Sequence, residues 1–331
     1  MRTAALDRLL AVLLVAQLAT GLLTLRSGVP ATAPLFWLHG LLGGALLVAA
    51  AEKLRRSVGP ALRRRRWGRL ALGGLLTLLV AAALAGGFAW VASGRILSIG
   101  PWTILTLHVW AALAVVPIVI VHLVPGRWRL LRPAAGGTGP RMSRRTALGI
   151  GVVAALGAVA YAGANVLDRV MGGVRRFTGS RWLEPGGIPP PTTFYGEPAP
   201  PEDGSAWSLR VHGRVERELV LDRSGLESLG AVDRSATLDC TSGWVMTTDW
   251  RGTPLRAVLD AADARPVHFV KVRSTTGWMV ALEPHELDGA LLATGVAGVE
   301  LPRANGAPCR LVAPTRRGLD WVKWVAEVEV A

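Results

Sequence analysis

An all-α bundle of five membrane spans followed by an α+β domain is the fold class this sequence predicts. Three observations lead there. The 331 residues are 51% hydrophobic and only 18% charged, whereas soluble domains carry about 25% charged residues. Their longest apolar runs are gathered in the first half. The net charge of +14 is unevenly spread: residues 1–176 hold 21 Lys/Arg against 3 Asp/Glu, and residues 177–331 hold 16 against 20. Basicity confined to the apolar half follows membrane topology, so no nucleic-acid partner is expected. Two cysteines exclude a disulfide-rich scaffold and a multi-cysteine zinc or iron–sulfur site.

The five apolar runs cover roughly residues 5–25, 34–51, 67–92, 102–124 and 146–166. At 1.5 Å per helical residue each crosses, or nearly crosses, a hydrocarbon core of about 30 Å. Four of them form a membrane domain over residues 1–125. The connections alternate in charge. Segment 52–70 carries Lys53, Arg55, Arg56, Arg63 to Arg66 and Arg69, and segment 125–145 carries Arg127, Arg129, Arg132, Arg141, Arg144 and Arg145. The other two connections carry one arginine each, Arg26 and Arg95. Positive loops stay in the cytoplasm, so the N-terminus is expected inside and the chain beyond residue 170 outside. This is a multi-pass plasma-membrane topology with an extracytoplasmic C-terminal domain. Residues 126–167 then form a cytoplasmic loop and the fifth span. Within them Ser143-Arg144-Arg145-Thr146-Ala147-Leu148 resembles a twin-arginine export signal, although Ala147 stands where an aromatic residue is usual. The same arginines satisfy the positive-inside rule. Small residues at Ala158-Val159-Ala160 are compatible with cleavage, but an uncleaved anchor is the preferred reading.

Ionisable residues inside spans are functional candidates. His39 lies about 7 Å and His108 about 9 Å below the outer surface, counted at the helical rise. Matching depth on two helices suits axial ligation of one b-type haem iron, with Gly40, Gly43 and Gly44 leaving room for the macrocycle. His122, 14 residues beyond His108, resembles the second ligand position of a two-haem helix, but no other span offers it a partner. The alternative for each histidine is a hydrogen-bonded interhelical residue, which leaves the helices as scaffold.

Residues 168–206 are rich in Pro and Gly and read as an extended tether. From 207 to 331 the pattern is mixed. Strands are expected at 207–213, 217–221, 267–272, 278–282, 309–313 and 324–330, and short helices at 224–229, 254–262 and 284–293. They do not alternate regularly, hence α+β. The segment contains no GxGxxG, phosphate loop, HExxH or GxSxG.

The chemistry centres on Cys240, which a short strand delivers to the small residues Thr241-Ser242-Gly243. A thiolate suits a soft or high-valent metal, whereas a lone cysteine is more often a buried apolar residue. The ordered set of pieces around it from about Thr192 onward resembles the molybdopterin-binding domain of the sulfite oxidase family, including its bacterial methionine-sulfoxide reductase relatives. The pieces are Phe194-Tyr195, Trp207 to Val215, Cys240, Trp250-Arg251-Gly252-Thr253-Pro254-Leu255, Leu291-Leu292-Ala293, Gly306-Ala307-Pro308-Cys309-Arg310-Leu311-Val312-Ala313-Pro314 and Lys323-Trp324-Val325.

The resemblance implies a molybdopterin cofactor whose molybdenum Cys240 holds. It makes Arg310 and Lys323 candidates for the pterin phosphate or the substrate, and Phe194 and Tyr195 candidates for the cofactor channel. It implies an oxidoreductase that moves an oxygen atom to or from a small oxo-acceptor or oxo-donor. Electrons would be exchanged with the quinone pool or a membrane redox partner. No basic residue follows Cys240 closely, since Thr241, Ser242, Gly243 and Trp244 are neutral, and Thr276-Gly277-Trp278 replaces a frequent Asp-Gly-Tyr. A neutral sulfoxide is therefore preferred over sulfite. Two alternatives remain open at this point. One is a Cys240–Cys309 disulfide, which would abolish metal ligation; Cys309 otherwise reads as core. The other is a cofactor-free, membrane-anchored binding module.

Overall fold

Long runs of Leu, Ala and Val without strand-like alternation fold as five helices in the computed structural model, which describes residues 3–63, 67–123, 143–192, 199–200, 207–265 and 268–331. Helix α1 is Thr3–Thr24, α2 Ala33–Arg63, α3 Trp67–Ala92, α4 Ile104–Leu123 and α5 Arg144–Val170. All five are long and apolar enough to cross a membrane. Chain contacts divide the molecule into two units, one of residues up to Thr24 with Ala31–Gly179, the other of Leu25–Pro30 with Ser180–Ala331.

In the first unit α2 runs twelve residues past the apolar stretch that ends at 51. The helix continues through Gly59 and Pro60, and at the start of this extension Glu52 pairs with Arg55 (2.7 Å) and Arg56 one turn later. Lys53 reaches back to Asp7 of α1 at 2.5 Å. Helix α4 starts at Ile104 because Trp102–Thr103 (β2) pairs with Ser98–Ile99 (β1) in a two-residue hairpin. Ser143 caps α5, its hydroxyl accepting from the Thr146 amide. Helices α2 and α5 cross at glycines. A Cβ on Gly44 would stand 2.1 Å from the Gly157 carbonyl oxygen, and one on Gly40 would enter the Tyr161 ring. Such small-residue contacts let helix backbones approach closely. Leu6, Leu13, Ala45, Leu46, Ala49, Leu84 and Val153 form the buried cluster of this unit.

The second unit is built from two sheets. The remaining elements are β3 (Arg181–Trp182), β4 (Leu209–Gly213), β5 (Leu219–Leu221), α6 (Arg223–Ser228), β6 (Val232–Asp239), β7 (Trp244–Pro254), α7 (Leu255–Ala261), β8 (Val270–Ser274), β9 (Met279–Leu282), β10 (Leu291–Val296), β11 (Val299–Glu300), β12 (Arg310–Val312) and β13 (Val325–Val330). One sheet runs β11-β10-β7-β3, with β12 also on β10 and β6 on β7; the other runs β5-β4-β13-β8-β9. Strand β8 alternates buried and half-buried positions, as a strand with one covered face should. Strand β10 does not: all six of its residues are buried. Its apolar run carries no period-2 signal, and this is why 284–293 reads as a helix. The structure instead forms a 3₁₀ turn at Pro284–Gly289 and then β10. Helices α6 and α7 and strands β4, β5, β8, β9, β12 and β13 stand within a few residues of their expected places.

Candidate functional site

The β6–β7 hairpin presents Cys240. Asp239 and Val245 are register partners at its closed end. Between them the Cys240 amide donates to the Trp244 carbonyl (2.8 Å), and the Gly243 amide donates to the Cys240 carbonyl (2.9 Å). Gly243 has φ +103°, a region that only glycine enters without strain. The turn therefore needs Gly243, and it leaves the Cys240 side chain half-buried in a cleft.

The cleft brings together three residues that the sequence singled out, Cys240, Arg310 and Lys323, and adds Thr192 and Trp321. The Thr192 hydroxyl lies 3.2 Å from the Cys240 Sγ and accepts from the Trp244 Nε1–H (3.2 Å). Lys323 Nζ donates to the carbonyls of Thr192 (3.1 Å) and Ala304 (2.7 Å). Arg310, on the fully buried strand β12, donates from Nη1 to the Asn305 carbonyl at 2.7 Å. Its guanidinium carbon stands 5.5 Å from the Trp250 ring and 6.0 Å from the Trp321 ring. Burial pulls its pKa down from the usual arginine range to about 10, and proximity to Cys240 opposes the shift. Among the described residues the buried Arg310 Nε–H has no acceptor. A buried cation with an unused donor is costly unless an anion meets it, so the cleft fits a group bearing negative charge beside the thiol.

Phe194 and Tyr195 lie outside the described residues. Cys309 is wholly buried, and burial pushes its thiol pKa up. Both cysteines are free thiols, so the disulfide alternative is not what the fold adopts. Sequence reasoning missed Thr192 and Asn305. Behind the cleft Asn305, whose carbonyl receives Arg310, donates from Nδ2 to the Pro189 carbonyl (2.8 Å), which ties the Pro-rich segment to the turn before β12.

In the helical unit His39 (α2) and His108 (α4) face one another, with ring centroids 6.2 Å apart and planes at 85°. His108 Nδ1 bonds the Ala83 carbonyl at 2.6 Å. His39 sits between Thr20 (2.9 Å) and Gln17 (3.1 Å). The glycines expected to admit a macrocycle are otherwise engaged: Gly40 and Gly44 are covered by Tyr161 and Gly157, while Gly43 faces Gln17. His122 lies in the last turn of α4.

Residues 197–331 match the family model of the oxidoreductase molybdopterin binding domain. The match covers the C-terminal part of the chain. Among curated proteins, the methionine-sulfoxide reductase catalytic subunit MsrP of Xanthomonas campestris is 34% identical over 146 residues, covering 38% of this chain and 44% of the relative. The MsrP of Gluconobacter oxydans is 32% identical over 145 residues, 38% of this chain and 46% of the relative. The chain thus spans less than half the length of these relatives. Among solved structures, the sulfane dehydrogenase SoxCD of Paracoccus pantotrophus is similar at 23% identity and a TM-score of 0.38, over 40% of each chain. All the cleft residues named above except Thr192 lie inside the matched molybdopterin-binding domain.

Proposed function

We propose that this chain is a membrane-anchored molybdenum-cofactor oxidoreductase that reduces a neutral sulfoxide outside the cytoplasm. The observation that carries the reading is the convergence of the Cys240 thiol, the buried Arg310 and Lys323 on one cleft of a molybdopterin-binding domain. Cys240 would hold the molybdenum. Arg310 would meet the pterin phosphate with its unused N–H. Lys323 and Thr192 would line the cofactor's bed. The bound group supplies two-electron oxygen-atom transfer: a sulfoxide takes up two electrons and two protons and leaves as a thioether and water.

The cleft wall supports a neutral substrate. The indole N–H groups of Trp244, Trp278 and Trp321 donate to Thr192 Oγ1, the Leu319 carbonyl and the Arg316 carbonyl. Their donors are thus taken up within the fold, and an oxyanion such as sulfite gains no hydrogen bond from these N–H groups. The relatives named as methionine-sulfoxide reductases favour the same class.

For the helical unit, the charge asymmetry of the connections supports a membrane anchor with its N-terminus inside and the C-terminal domain outside. If the unit carries a b-type haem that passes electrons from the quinone pool, His39 and His108 would be its ligands, and His39 would have to give up the bond that its Nε2 makes to Gln17 in this structure. The Nδ1 bond of His108 to a backbone carbonyl leaves its Nε2 available to a metal.

Turnover decides the substrate. With a reduced viologen as electron donor, the purified full chain should reduce methionine sulfoxide, and Cys240→Ser should not. Faster oxidation of sulfite than reduction of sulfoxide would overturn the substrate assignment. The haem is tested by a reduced-minus-oxidised spectrum. A b-type band that disappears in both His39→Ala and His108→Ala supports it. A wild type without the band, or a band surviving both variants, overturns it.

A further inference from the structure

Beneath the cleft lies a second buried cation that the chemistry above does not use. Arg317 and Asp239 form an ion pair at 3.2 Å with side chains only 4% and 1% exposed. Asp239 directly precedes Cys240, and Arg317 opens the 3₁₀ turn Gly318–Asp320 that forms part of the cleft wall. The Arg317 Nη2 group reaches three acceptors, the Ser180 hydroxyl (3.1 Å), the Asp239 carboxylate (3.2 Å) and the Cys240 carbonyl (3.2 Å). Ser180 in turn donates to Asp239 at 2.6 Å. One guanidinium thereby ties together the start of β3, the end of β6 and the cleft turn. The packing leaves this junction no slack. A Cβ on Gly318 would stand 3.1 Å from the Cys240 Cα and 3.2 Å from the Asp239 carbonyl oxygen.

A buried ion pair is weak evidence for stability, because desolvation consumes most of the attraction. Its cost is better explained by what it orients. The Cys240 carbonyl accepts from the Gly243 amide inside the hairpin turn and from Arg317 outside it. The peptide plane that follows the Cys240 Cα is therefore held from two sides. We infer that Arg317 is a positioning residue: by bridging Asp239, Ser180 and the Cys240 carbonyl it fixes the direction in which the Cys240 thiolate is presented to the metal. This inference rests on Cys240 being the molybdenum ligand. Outer partners that orient a metal-bound side chain typically change affinity or activity by about 10–100-fold when removed.

The test is Arg317→Lys, which keeps the charge and loses the planar fork. In molybdenum-loaded full chain the metal content should stay near that of wild type and the Mo(V) paramagnetic resonance line shape should shift. The sulfoxide kcat should fall about tenfold with KM unchanged. In the same variant, hydrogen exchange at the 239–243 turn should quicken while the β8–β9 hairpin stays protected. A wild-type line shape together with unchanged exchange would overturn the inference. If Arg317→Lys does not fold, the double variant Arg317→Gln with Asp239→Asn, neutral and similar in size, is judged by the same criteria. Failure of both to fold, where Cys240→Ser folds, would make the network scaffold alone and also overturn it. A wild type that carries no molybdenum would count against the proposed function instead. The exchange experiment on cofactor-free protein then still decides whether Arg317 holds the turn.

Discussion

At the scale of single residues the cleft is a problem of buried charge. Arg310 is buried, its Nε–H has no acceptor among the described residues, and burial lowers its pKa to about 10. The cofactor-free fold therefore carries a cation whose full stabilisation awaits an anion. Arg310→Met should make the cofactor-free protein more stable, by about 1 kcal/mol or more, and should reduce retained molybdenum at least tenfold. Denaturant unfolding and metal analysis check the two halves separately. A variant that is less stable and keeps its metal would show that Arg310 is packing, not a cofactor ligand. Cys240, Arg310 and Lys323 were legible in the sequence because each sits in a short motif whose neighbours resemble a family. Thr192 and Arg317 were not. Thr192 acts across 48 residues and Arg317 across 77 to reach Cys240, and nothing local marks a side chain whose partners only the fold brings near.

At the scale of elements, two close approaches carry the architecture. A Cβ on Gly252 of β7 would stand 2.2 Å from the Leu292 carbonyl oxygen of β10, at the register pair of Gly252 with Ala293. Gly252→Ala should therefore cost about 1–3 kcal/mol by overpacking, seen as a lower denaturation midpoint of the cofactor-free protein. An unchanged midpoint would mean that the β7–β10 pairing yields more easily than this geometry implies. The long helices were legible because apolar length is a strong signal that tertiary context seldom overrides. Their far ends were less so: α2 continues to Arg63 through Gly59 and Pro60, residues that ordinarily mark a helix end. Strand β10 shows the opposite failure. Buried along its whole length, it lacks the alternation that identifies strands, and its short apolar run is ambiguous by periodicity. The glycines of α2 were noticed but given the wrong neighbour. Gly40 and Gly44 seat α5 against α2, a use that one helix's sequence cannot distinguish from room for a cofactor.

At the scale of the whole molecule, charge and chemistry give one account. Residues 1–176 hold the entire excess of Lys/Arg over Asp/Glu, in connections that alternate rich and poor. A compartment-sensitive reporter placed in segment 52–70 should be active in the cytoplasm, and one fused after Ala331 should be active outside. The reverse result would place the cleft on the cytoplasmic side and remove the reason for an internal twin-arginine motif. The central claim is narrower than topology: the sulfur of Cys240 bonds molybdenum. The most direct measurement is molybdenum and pterin content of the purified full chain, made in a host that produces the cofactor, beside Cys240→Ser. The account predicts close to one molybdenum per chain in the wild type and almost none in the variant. Equal metal in the two proteins, or none in the wild type, would contradict it, and the latter would leave the C-terminal domain a membrane-anchored binding module.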